Sequence, residues 1–236
     1  MEAVEISGNQ WKEVASTGVS KRRLDDLRAT LLTEGADAVS DDELLALFLG
    51  FTDVASATLL RSQHGDLRAL LRAPAGKLLD LPGLGPVRTS RLIAAVAMVE
   101  RSAQAGLRAL PELSSSSAVR RFLRLKLAHQ PREVFACLFL DNRHRLIRFE
   151  SLFYGTVDRA SVHPREVLRR ALELNAAAVI LAHNHPSGVA EPSASDLALT
   201  QDLTDLLRRI DVRVLDHLVV GQGCEVSLAE RGFIGL

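Results

Sequence analysis

His183 and His185 lie two residues apart in AHNHPSG, residues 182–188, where an apolar run ends, and SASD follows at 193–196. Alternate residues of an extended chain face the same way, so both imidazoles can be presented on one side of a strand. Two neutral imidazoles suit a borderline cation such as zinc. One carboxylate completes three protein ligands and leaves a fourth position for water. Asp196 supplies that carboxylate if the chain through Pro186, Ser187 and Gly188 folds back, a reversal that Gly188 and Pro192 favour. A blander reading competes. Either histidine alone reads as a packed or surface side chain, and SASD is a capping box in which the Ser193 oxygen accepts from one amide and the Asp196 carboxylate accepts from another. A ligand carboxylate aims at the histidines; a cap aims at its own helix start.

Zinc with an open position works best beside a second carboxylate, which takes a proton from water and hands it to a leaving group. Glu133, at the start of EVFACLFLD, is the candidate. The residues alone do not rank it above Glu150, Glu166 or Glu191, and a charge at a strand edge commonly serves solubility. Asp216 and His217, in VRVLDHLVVG, receive no ligand role because three ligands and water already fill a tetrahedron. A hydrogen bond behind a ligating histidine stays open to them. His163 reads as a helix-start residue, with Pro164 at the first helical position.

The elements that must position these groups fall into two parts. Helical spacing recurs in DDELLALFLG, DVASATLLRSQ, GDLRALLRAP and VRTSRLIAAVAMVERS, so roughly residues 20–103 read as an all-helical unit. Ser40 and Glu43 form a capping box at one helix start. From 104 to 117 Pro111 and four serines interrupt the pattern, which places the joint there, with a serine capping a helix in AVRRFLRLKLAHQ. The spacing thus predicts a helical domain over 1–103, a linker over 104–117 and a metal-binding domain over 118–236. In the last, EVFACLFLD and LIRFESLFYG read as strands joined by the polar NRHR turn. A helix in HPREVLRRALELN, the apolar strand AAAVILAH, a helix from about Ala194 to Ile210, and strands in VRVLDHLVVG and CEVSLAE follow. That order predicts an α/β domain with a mixed sheet, its chemistry at the C-terminal end of a buried strand.

Upstream, LLDLPGLGPVRTSRLIAAV, residues 78–96, sets Gly83 and Gly85 between two helical segments. Glycines let backbone N–H groups approach a phosphate, the next helix adds its positive dipole end, and Arg88 and Arg91 could add charge. The alternative is a plain connector between core helices. Such contacts carry no base code and weaken with salt.

Composition narrows the rest. With 47% hydrophobic residues in 236, the chain can fill a core. Lys plus Arg and Asp plus Glu both number 29, which excludes a general basic coat while allowing a local patch. Cys137 and Cys224 form no C-x-x-C pair, the N-terminus has no apolar signal region, and no stretch has the apolar length of a membrane span. The expectation is a cytoplasmic protein without membrane contact. Oligomeric state leaves no signal in the sequence.

PREVFACLFLD from 131, HPRE from 163, LAHNHPSG from 181, SASD from 193 and DHLVVG from 216 together resemble the bacterial RadC-like DNA repair family. Its C-terminal domain is similar to the JAMM/MPN metalloprotease fold, which is cytidine-deaminase-like. The JAMM signature of a distant Glu, His-x-His-Pro, and an Asp with a Ser three before it maps without mismatch onto Glu133, His183, His185, Pro186, Ser193 and Asp196. The resemblance implies zinc on His183, His185 and Asp196, Glu133 as general base, and Ser193 donating to the oxyanion as water attacks an amide or isopeptide carbonyl. A peptide or protein substrate follows. It also implies a helix-hairpin-helix at Gly83, Gly85, Arg88 and Arg91 that contacts DNA phosphates. Two departures stand out: Thr89 replaces a small apolar residue, and the loop at GFTDVAS is short. A DNA-associated protein with a structural zinc is the alternative. A two-metal nuclease is disfavoured because the carboxylate cluster it needs is missing.

Overall fold

Short polar side chains start three of the helices in the first half of the chain. A computed structural model describes residues 24–109, 113, 116–155 and 162–235. The chain divides into two compact units, Met1–Met98 and Val99–Leu236. In the first, α1 (Leu24–Glu34) and a 3-10 turn (Ala36–Ala38) precede α2 (Asp41–Leu49), α3 (Val54–His64), α4 (Leu67–Arg72), α5 (Ala75–Leu79) and the start of α6 (Pro86–Ala109). The Ser40–Glu43 capping box opens α2, and Asp53 and Asp66 cap α3 and α4 through their carboxylates. Leu27, Leu49, Leu60, Leu70, Leu84 and Leu92 share one core there.

The hairpin between α5 and α6 has Gly83 and Gly85 at φ +82° and +22°, conformations that side chains with a Cβ rarely adopt. Its two arginines are turned back onto the unit itself. Arg88 donates to the carbonyls of Leu49, Gly83 and Gly50 at 3.1, 2.8 and 3.1 Å, and its guanidinium lies 4.2 Å from the centre of the Phe51 ring. Arg91 donates to the same Leu49 carbonyl at 3.1 Å. Both therefore close the C-terminus of α2, whose last carbonyls have no partner within the helix. Thr89 is buried, and its hydroxyl donates to the Leu84 carbonyl at 3.3 Å, which offsets the cost of placing it between helices.

The joint expected over 104–117 is not where the units divide. The division falls inside α6, which continues unbroken to Ala109. AQAGLRA contains mostly strong helix formers, and the helix-breaking Pro111 comes only after it. Leu107 is buried in the core of the second unit. The serine expected to cap the next helix lies outside the described residues.

The second unit continues with α7 (Ser116–Leu127), β1 (Val134–Leu140), β2 (Leu146–Tyr154), α8 (Pro164–Glu173), β3 (Ala178–Asn184), α9 (Ala194–Arg208), β4 (Arg213–Val220) and β5 (Glu225–Ser227). The strands form one sheet in the order β2-β1-β3-β4-β5. Only β3 and β4 are parallel, with α9 as their crossover, so the sheet is mixed as the strand order predicts. Alternation divides β1 and β3 between two cores. Ala136, Leu138, Ile180 and Ala182 pack with Phe122 and Leu123 of α7. Phe135, Cys137, Val179 and Leu181 pack with α8 and α9. β1 and β3 are therefore apolar on both faces, as a central layer requires. Among the described residues no single helix is long and apolar enough to cross a membrane.

Arg88→Ala removes three hydrogen bonds from helix and hairpin carbonyls. It is expected to cost about 1–2 kcal/mol of stability. A thermal melt of the full chain checks this, and an unchanged transition would show that water replaces the guanidinium without loss.

Candidate metal centre

His183 is the sixth residue of β3 and shares the α9-facing side of the sheet with Val179 and Leu181. His185 continues the ladder one step past the strand, its N–H donating to the Val220 carbonyl at 3.0 Å. Two residues of spacing thus put both rings on one face. The chain then reverses: the Gly188 N–H donates to the His185 carbonyl at 2.9 Å, with Gly188 at φ +85°. Its carbonyl accepts from Gln222 at 2.8 Å, and Gly221 leaves room for this approach, since a Cβ there would sit 2.4 Å from the Gly188 oxygen. The reversal delivers the N-terminus of α9, and with it Asp196, to the histidines.

Three ligand atoms converge. The Nε2 atoms of His183 and His185 are 3.0 Å apart, and Asp196 Oδ1 and Oδ2 lie 3.4 and 3.5 Å from them respectively. A tetrahedral zinc site with ligands at about 2.0–2.1 Å has donor-to-donor edges of roughly 3.3 Å. The three distances are close to such edges, each imidazole facing its own carboxylate oxygen, and among the described residues these side chains form the candidate His-His-Asp metal group.

Protons reinforce the fit at His185. Its Nδ1 lies 2.9 Å from the Val189 carbonyl, which only accepts, so Nδ1 carries the hydrogen and Nε2 of the neutral ring presents a lone pair. The hydrogen bond to Asp196 raises the pKa of His185, against the opposing effect of burial. Burial pushes Asp196 up, but its interactions with the His183 and His185 rings outweigh it and hold the carboxyl well below the usual range. Behind His183, His217 is fully buried, and that burial keeps its ring neutral.

Capping and ligation prove compatible at Asp196. Oδ2 accepts from the Ser193 N–H at 2.7 Å and from the Ser193 hydroxyl at 2.6 Å, completing the capping box, while Oδ1 faces His183. Oδ2 takes part in both, since it also lies 3.5 Å from His185 Nε2, while Oδ1 is left to His183. The Ser193 hydroxyl proton is thereby committed to Asp196, so its placement orients the carboxylate; donation to an oxyanion requires rotation away from it.

A RadC-like JAB domain model matches residues 113–233, the span that contains the whole metal group. The chain belongs to the RadC family. A UPF0758 protein of Azotobacter vinelandii is 51% identical over 212 residues, covering 88% of this chain and 95% of that one. One from Thioalkalivibrio sulfidiphilus is 54% identical with the same coverage. The second unit is thus a RadC-like JAB domain, with the fold of JAMM-type metal-dependent hydrolases.

In this RadC domain Glu133 immediately precedes β1. Phe135 pairs with His183 in the antiparallel β1–β3 register, so continuing two steps sets Glu133 across from His185 on the same face. Its charge contributes to the raised pKa of His185. Glu150, the rival on spacing, is bound to Arg170, and Glu191 to Arg231; Glu166 pairs with Arg169. The hairpin residues Gly83, Gly85, Arg88 and Arg91 belong to the first unit. Asp216 takes no part in the metal group: its carboxylate accepts from the N–H groups of His217 and Ala229 and the hydroxyl of Ser227. His163 stands at the N-cap of α8 with Pro164 at the first helical position, as its sequence predicts.

Asn184, between the two histidines, escaped the sequence reading. Its side chain faces away from theirs, accepts from the Val134 N–H at 2.8 Å and donates to the carbonyls of Arg132 and Gln130 at 3.1 and 3.4 Å. It therefore fixes the segment that carries Glu133. The only available signal was an amide side chain inside an otherwise apolar strand end, which must find partners when buried.

Asn184→Ala leaves the buried Val134 N–H without its acceptor. A loss of about 1–3 kcal/mol is expected by chemical denaturation. Zinc content should stay at the wild-type level because both histidines remain. Full stability in the variant would remove Asn184 as the clamp.

Proposed function

We propose that the second unit is a zinc-dependent peptidase or isopeptidase. The observation that carries this reading is the convergence of two imidazole nitrogens and the Asp196 carboxylate at tetrahedral spacing, with Glu133 across the sheet from His185. His183, His185 and Asp196 would hold the metal. Zinc bound there supplies Lewis acidity toward a carbonyl oxygen and lowers the pKa of water.

The chain's own groups do the rest. Glu133 takes a proton from the attacking water and returns it to the departing amide nitrogen, the part of the reaction that charge stabilisation alone leaves undone. Its place at the mouth of the strand, opposite the more exposed of the two histidines, keeps it within reach of solvent and substrate alike. Ser193 holds the Asp196 carboxylate in its ligating orientation and, on rotating, offers a hydroxyl to the oxyanion. A single metal group with one carboxylate favours carbonyl hydrolysis over two-metal phosphoryl transfer.

We also propose that the upstream hairpin touches nucleic-acid phosphate through its backbone. A recess lined by the hairpin residues Gly83 to Val87 and by Leu49, Gly50, Arg88 and Arg91 supports this. Arg88 and Arg91 would then act chiefly as supports for the hairpin, and the contact would be weak, sequence-independent and salt-sensitive.

Glu133→Gln retains size and polarity while removing proton transfer. At matched zinc content, the variant is expected to keep its fold and lose cleavage of a branched or linear peptide by about two to four orders of magnitude. Equal rates would exclude Glu133 as the base. Absence of cleavage by wild type across a broad peptide panel would favour the alternative of a zinc whose role is structural.

A further inference from the structure

The His183 ring has a partner on its far side that is itself a histidine. His183 Nδ1 lies 2.8 Å from His217 Nε2, and His217 Nδ1 lies 2.5 Å from the Thr200 hydroxyl. That hydroxyl is 2.6 Å from the backbone carbonyl of Asp196. His183, His217 and Thr200 are each at most 1% exposed, so water does not supply alternative partners.

The proton order follows from the last link. A carbonyl only accepts, so the single Thr200 hydroxyl hydrogen points to Asp196. Thr200 must then accept from His217, which places the His217 hydrogen on Nδ1. Its Nε2 is left as an acceptor, and His183 must donate to it from Nδ1. Any reversal of one link sets two lone pairs or two hydrogens against each other in a buried site.

We propose that Thr200 and His217 are positioning residues which fix His183 in its Nδ1–H form and reserve its Nε2 lone pair for the metal. The proposal rests on the metal-centre reading above. The relay begins at the main chain of Asp196 and ends at His183, so it joins two of the ligands by hydrogen bonds that do not pass through the metal. Sliding α9 along the sheet would break the proton order and move the carboxylate together. The sheet brings His217 into place: Leu181 pairs with His217 and His183 with Val219, so the two histidines are diagonal neighbours on one face of the parallel pair.

The test uses the full chain. Nitrogen NMR of histidine-labelled, metal-free protein at neutral pH should find both His183 and His217 protonated at Nδ1 alone. Thr200→Val keeps the shape and removes the link; it should disturb this proton order and weaken zinc about 10–100-fold in a chelator competition. Thr200→Ser, which restores the hydroxyl, should recover both. His217→Gln offers one acceptor and one donor and should retain more affinity than His217→Leu. A melting curve for each variant separates loss of fold from loss of affinity. A wild-type His183 protonated at Nε2, or a folded Thr200→Val protein with wild-type affinity and proton order, would overturn the relay. Wild-type protein that takes no zinc would overturn the metal reading instead, while the nitrogen pattern still decides the relay.

Discussion

Two imidazole nitrogens held 3.0 Å apart, each ring's hydrogen directed to its far side, leave lone pairs that repel unless a cation lies between them. The Asp196 carboxylate adds negative charge to the same point. A proton can relieve the repulsion, and the hydrogen bond that a protonated His185 makes to Asp196 raises it above an ordinary imidazole. A divalent metal relieves it more completely because it engages all three groups at once. The surrounding architecture can be understood as what it takes to keep these groups converged.

Each ligand is held by a different device. His183 is fixed by its place in a buried central strand and by the ring behind it. His185 is fixed by a backbone bond to β4 and by the Val189 carbonyl. Asp196 is fixed by the cap of α9, so the start of a helix and the third ligand are one structure. The reversal joining them depends on Gly221, where a side chain would collide with the Gly188 oxygen. All of these supports are the chain's own hydrogen bonds and packing. That preorganisation lowers the ordering cost of binding.

Much of this was legible in the residues. The HxHP spacing and the SASD box point to the ligands, and strand-length apolar runs point to the strands and the mixed sheet. The relay was less so, because His217 lies 34 residues from His183 in sequence, with Thr200 17 residues from His217; only the β3–β4 register and the crossover of α9 unite them. Asn184 was hidden by its position inside the motif, since the pattern drew notice to the histidines on the opposite face. The bonds of the arginines after the hairpin were not legible: only tertiary structure shows both donating to the open carbonyls at the end of α2. Serines and Pro111 follow the end of a long helix, whereas the packing units divide within that helix.

X-ray absorption at the zinc edge of the loaded full chain tests the centre most directly. Scattering from two imidazoles, with the remaining near neighbours nitrogen or oxygen at about 2.0–2.1 Å, is the expected result. A sulfur neighbour at about 2.3 Å, or a spectrum without imidazole scattering, would contradict a centre built on His183, His185 and Asp196.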